Sequence, residues 1–71
     1  MKHKITVGSD GPRQRLDRLL SGEVEALSRM RIKALIEAGQ VVVRHGDDER
    51  TVTEASYRVK PGERIEMTVP P

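Results

Sequence analysis

Apolar residues recur along this chain with two different spacings, and the switches between them divide it into elements. In "KITV" (4–7), Ile5 and Val7 alternate with Thr6, the period-two pattern of a short strand. "SDGP" (9–12) follows as a turn, in which Gly11 frees the backbone and Pro12 is suited to open a helix. Over "RQRLDRLL" (13–20) the spacing becomes helical. Leu16, Leu19 and Leu20 share one face, and Val24 and Leu27 extend it. Gly22 is a poor helix former, so the helix is expected to end near it, with 23–27 as a looser turn.

The next stretch, "SRMRIKALIEAGQVVV" (28–43), predicts a helix followed by a strand. Ser28 is a natural N-cap, accepting from a backbone N–H two or three residues on. A full capping box is missing, because Arg31 stands where Glu or Gln would complete it. Ile32, Leu35 and Ile36 form an i, i+3, i+4 stripe, and Gly39 closes the helix. "QVVV" (40–43) is β-branched and reads as a strand. Two short helices with such stripes pack on one another. Burying their six large aliphatic side chains contributes about 1.5–3 kcal/mol each before chain entropy is charged.

The C-terminal part is read as "RHGDDER" (44–50), a polar hairpin loop, then "TVTEASYRV" (51–59), a short strand and an irregular link. "KPGE" (60–63) has Pro61 and Gly62 at the two central positions of a type II turn. In "RIEMTV" (64–69), Ile65, Met67 and Val69 point one way and Arg64, Glu66 and Thr68 the other. The closing Pro70–Pro71 pair suits the start of an extended linker, which predicts a fragment of a longer protein. The expected class is α+β: two N-terminal helices packed on a small antiparallel sheet, with the 4–7 strand at an edge.

Composition narrows what such a domain does. At 71 residues there is room for one small core. Cysteine is absent, which removes disulfides and thiolate metal sites and fits a cytoplasmic setting. No apolar run approaches a membrane span and no signal-peptide core stands at the N-terminus, so no membrane partner is expected. Tyr57 is the sole aromatic residue, so the chain has no platform for stacking a series of bases. Charge is unevenly placed. Residues 1–46 hold nine Lys/Arg against five Asp/Glu, and residues 47–71 hold four against six. One basic face is the simplest consequence, although an ordinary soluble surface has a similar composition.

Nothing in the sequence has the spacing of a catalytic triad, and neither Gly8 nor Gly11 belongs to a phosphate-loop or dinucleotide pattern. The acidic run "HGDDE" (45–49) lacks the ligand alternation of a calcium loop and reads as a solvated hairpin tip. No catalytic residue, metal or cofactor is expected, and an enzyme complete in itself is not.

The basic residues carry the functional reading. Arg29, Arg31 and Lys33 crowd the first turns of the second helix, and Glu37 lies near its end. A helix N-terminus is already positive, so each such cation costs about 0.3–1 kcal/mol at low salt. An approaching phosphate reverses the sign, since helix end and side chains then attract together. On the helical wheel Arg29 and Lys33 border the buried stripe on one side and Arg31 on the other. Arg13, Arg15 and Arg18 from the first helix, and Arg44 after the strand, are expected to continue the patch. Arg suits phosphate because its planar fork donates two parallel hydrogen bonds. The competing reading is that these side chains snorkel over apolar edges; it is preferred for Arg18 and Arg58, and Arg15 has Asp17 or nearby Glu residues as alternative ion-pair partners.

"RLDRLL" (15–20), "SRMRIKALIEAGQVVV" (28–43) and "SYRVKPGERI" (56–65) together resemble the S4 RNA-binding domain, over about residues 13–69. The likeness is greatest to the N-terminal S4 domain of the large-subunit (RluA/RluD-type) pseudouridine synthases, in which a proline-containing linker leads to a catalytic domain. The resemblance implies an S4-like, alpha-L fold over 1–69 and a linker beginning at 70–71. It implies structured RNA, ribosomal RNA first, and not DNA, as partner, with a catalytic domain in cis. By position it implicates Arg15, Ser28, Arg29, Arg31, Lys33, Gln40 and Arg44 in RNA contact. Asp17 belongs to the module's own motif and is not a catalytic aspartate. The sequence departs from the family at Lys33–Ala34, where Gln and then a basic residue are usual. It departs again at "RHG", where Asn-Gly is usual, and in a 44–51 loop expected to be about four residues longer. A stand-alone ribosome-associated S4 protein and an interaction or structural domain without RNA affinity are the alternatives.

Overall fold

A computed structural model describes residues 2–8 and 14–70. The expected 9–12 turn, Arg13 and Pro71 lie outside the described residues. The elements are β1 (Lys2–Thr6), α1 (Leu16–Glu23), α2 (Arg29–Glu37), β2 (Val41–His45), β3 (Asp48–Thr51) and β4 (Arg64–Thr68). All pairings are antiparallel in the order β1-β4-β2-β3. The α+β class and the edge position of β1 are as the sequence predicts.

One face of the sheet is apolar and the helices cover it. Val41 and Val43 of β2 and Ile65 and Met67 of β4 are buried there, against Leu16, Leu20 and Val24 from the first helical segment and Ile32, Leu35 and Ile36 from the second. Val52, Ala55 and Val59 of the link close the core from the side. The opposite sheet face has no helix on it. By alternation and register it carries Lys2, Lys4 and Thr6 of β1, Arg64, Glu66 and Thr68 of β4, Val42 and Arg44 of β2, and Glu49 and Thr51 of β3.

The local chemistry of α2 matches its sequence. The Ser28 hydroxyl accepts from the Arg31 N–H at 3.1 Å. At the other end the Gly39 N–H reaches the Ile36 carbonyl and the Gln40 N–H reaches the Leu35 carbonyl, the two bonds of a Schellman closure, with Gly39 at φ +82°. The 60–63 turn also forms as expected, with Gly62 at φ +87° and the Glu63 N–H on the Lys60 carbonyl.

Several boundaries differ from expectation. β1 starts at Lys2 rather than Lys4, and Val7 continues its pairing through bonds with Glu63 and Gly62. α1 runs through Gly22 to Glu23. Gly22 is exposed and costs only propensity, while buried Val24 caps the helix with its N–H on the Leu20 carbonyl. No side chain caps the start of α1. Its first amides are instead taken by the link, Leu16 N–H on the Tyr57 carbonyl at 2.7 Å and Asp17 N–H on the Ala55 carbonyl at 3.2 Å. The stretch 44–50 is not a loop. β2 continues to His45, β3 begins at Asp48, and the turn is the two residues Gly46–Asp47. Gly46 has φ +63° and, among the described residues, no non-glycine residue is positive, the sign pattern of a type II′ hairpin. The expected extra loop residues are therefore strand.

Candidate nucleic-acid interface

The cations named from the sequence fall into two groups, those with acidic partners and those without. Arg15 belongs to the first. Its Nε lies 3.2 Å from Asp17 Oδ1, and its Nη2 donates to Oδ2 at 3.3 Å. Asp17 is buried, and its Oδ1 has no well-directed hydrogen bond from any donor, so the guanidinium is the charge that compensates it. Arg15 is also fixed by its backbone, which bridges to Arg58 beside the start of α1.

Arg44 is committed more deeply. On the helix-free face of the sheet its Nε pairs with Glu66 at 2.7 Å and its Nη2 with Glu49 at 3.1 Å. Glu66 in turn pairs with Lys2 at 3.4 Å. Lys2, Glu66, Arg44 and Glu49 thus form a line of alternating charge across all four strands. Such a ladder ties strands together and cancels its own field. Arg44 projects from the face opposite the helices because Val41 and Val43 must be buried and the pleat alternates. Gln40, which precedes Val41 in the same alternation, holds the end of the sheet through its carbonyl, an acceptor for the Thr68 N–H at 2.9 Å.

The second group lies on α2. Arg29, Arg31 and Lys33 are all exposed, and among the described residues no acidic side chain lies within ion-pair distance of any of them. The first turn of the helix contains no acidic residue. Ser28 caps the Arg31 amide, while the amides of Arg29 and Met30 have no intrahelical acceptor. Three exposed cations and a positive helix end therefore face solvent together, a suitable arrangement for a phosphate oxygen. Of the other cations expected to continue the patch, Arg15 and Arg44 are ion-paired and Arg44 stands on the other side of the sheet, while Arg18 is exposed without an ion pair among the described residues.

A polar cluster that the sequence reading missed joins β3, the link and the 60–63 turn. Glu63 is buried at 3% exposure, accepts from the Tyr57 hydroxyl at 2.6 Å and from the Lys60 N–H at 2.6 Å, and has Arg50 Nη2 at 3.9 Å. Arg50 also donates to the Tyr57 hydroxyl at 2.8 Å and lies 5.3 Å from the ring centroid. Burial, followed by the hydrogen bond to Glu63, raises the Tyr57 phenol above its ordinary pKa of 10.0. Its one aromatic ring is thereby spent on structure. The signal was Glu63 directly after Pro-Gly: a carboxylate at the last position of a turn is placed to cap the turn's own first amide.

No known family profile matches the chain. It is similar to an uncharacterized RNA pseudouridine synthase of Chloroflexus aurantiacus, 41% identical over 58 residues that cover 82% of this chain and 17% of that protein. It is also similar to the uncharacterized RNA pseudouridine synthase YlyB of Bacillus subtilis, 29% identical over 66 residues that cover 93% of this chain and 20% of that protein. The chain therefore spans a fifth or less of the length of these curated relatives.

Proposed function

We propose that this chain is an RNA-docking module of the S4 type, belonging to an RNA pseudouridine synthase whose catalytic part lies outside these 71 residues. The observation that supports the RNA reading is the exposed state of Arg29, Arg31 and Lys33 together at the N-terminal end of α2, with no acidic partner among the described residues, whereas Arg15 and Arg44 each have one. Uncompensated cations at a positive helix end cost stability, and a polyanion is the ligand that repays it. Two relatives named as RNA pseudouridine synthases support the parent activity. In this reading the module holds phosphates and shape, with structured ribosomal RNA as the substrate class, and leaves the isomerisation to the linked domain.

Affinity for a structured RNA, measured with single substitutions, tests the reading. Arg29→Ala and Lys33→Ala should each weaken binding several-fold, while Arg44→Ala should leave it near the unsubstituted value. An interaction domain without RNA affinity predicts no binding in any of the three, and a patch centred on the strand end predicts the reverse order.

A further inference from the structure

Outward from the core, the first turns of α2 carry an apolar strip between their cations. Met30 is 84% exposed and is the single exposed large hydrophobic side chain among the described residues. At 3.6 residues per turn it stands nearly opposite the buried Ile32–Leu35–Ile36 stripe, and exposed Ala34 follows it one turn on. Lys33, with Arg29 behind it, borders this apex on one side and Arg31 borders it on the other. A lone exposed methionine needs no explanation in general. This one is centred among three cations that have no acidic partner, where a polar residue would cost nothing in packing.

We infer that Met30 is an apolar contact for an unpaired nucleotide of the bound RNA, lying against the face of a base or ribose while Lys33 and Arg31 hold the phosphates on either side. The inference rests on the RNA reading above and adds to it the kind of RNA element recognised: a bulge or loop rather than a continuous duplex. A paired stem buries its base faces and offers phosphates and hydroxyls at its surface, which leaves a thioether nothing to cover. The chain has no free aromatic ring to fill this role, since the Tyr57 hydroxyl is bound by Glu63 and Arg50. Methionine is flexible and polarisable, and so adapts to an irregular apolar surface. A protein partner fits less well, because a stable protein interface needs a contiguous area far larger than one methionine and one alanine supply.

Two RNA probes separate the possibilities: a fully paired duplex and the same duplex with one bulged nucleotide. Met30→Ala keeps the helix, since alanine is the better helix former. It should weaken binding of the bulged probe about fivefold, the loss of roughly half a buried methionine side chain, and change the duplex by less than about twofold, with the salt dependence of both unchanged. Met30→Gln should behave as Met30→Ala, and Met30→Leu should bind the bulged probe like the unsubstituted chain. Equal effects on both probes, no effect on either, or a full loss in Met30→Leu would overturn the Met30 contact while leaving the cationic patch intact. If Arg29→Ala and Lys33→Ala also bind both probes undiminished, the RNA reading itself fails, and this inference with it.

Discussion

Outside the apolar core, Glu63 is the side chain whose removal the fold should feel most. Its carboxylate is buried at 3% exposure and receives two short hydrogen bonds, each 2.6 Å, from the Tyr57 hydroxyl and the Lys60 amide. Glu63→Ala removes both acceptors at once. A hydrogen bond to a charged group contributes about 1.5–3 kcal/mol. The Tyr57 hydroxyl retains Arg50, so its share belongs at the low end of that range; the Lys60 amide loses the acceptor that closes its turn. Together these give an expected loss of about 3 kcal/mol. The whole domain, at about 0.05–0.15 kcal/mol per residue, has roughly 4–10 kcal/mol to lose from. Glu63→Gln keeps one acceptor oxygen and should cost about half as much. Urea unfolding followed by circular dichroism reads both variants, and an unchanged m-value would show that the compactness of both states is preserved. A loss below about 0.5 kcal/mol in Glu63→Ala, within the range of ordinary surface substitutions, would refute the assignment of this cluster as structural.

Two further outcomes follow from the same geometry. Because the folded state holds the Tyr57 phenol above 10.0, the unfolded chain releases this proton first as pH rises; stability is therefore intact below about pH 10 and falls through the window above it. The phenolate absorbance of this single tyrosine reports the titration directly, and Glu63→Gln should bring its midpoint down; an unmoved midpoint would deny the coupling. Ser28→Ala removes the bond to the Arg31 amide and should cost about 1 kcal/mol, which thermal melting would register as a fall of about 4–8 °C in Tm.

What the sequence made legible was mostly local. α2 could be read from end to end because its cap, its stripe and its terminal glycine act within the segment itself. The 60–63 turn was equally readable, since Pro61 and Gly62 set their own dihedral angles. The β2–β3 hairpin was not. Asp48–Thr51 is exposed at every position, so no alternation of apolar residues announces a strand, and its pairing depends on Val42 and Val43 opposite it. The end of α1 was legible to within one residue: it ends at Glu23, just past Gly22, with the looser turn following. In the candidate site, residue type and helical position were enough to place Arg29, Arg31 and Lys33 on the exposed side of α2. The commitment of Arg44 to Glu66 and Glu49 could not be read, because it depends on which face of the sheet each strand presents and on a partner 22 positions away.

Arg31 is exposed on α2. On the helical wheel it lies across the stripe from Arg29 and Lys33, which alone makes it the weakest member of the set. With Met30 and Ala34 forming the outward apex, its position is the second border of one surface, and in the proposed complex a nucleotide lying across α2 would meet a cation on both sides.

The measurement that bears most directly on the central claim is RNA affinity as a function of salt, compared between the unsubstituted chain and the Arg29→Ala, Lys33→Ala double variant. Each neutralised phosphate contributes about 0.7–0.9 to the log–log slope, so losing two contacts should reduce its magnitude by about 1.4–1.8 as well as weakening binding. A double variant that binds as tightly as the unsubstituted chain, with the same slope, would contradict the assignment of the α2 terminus as the RNA-facing surface.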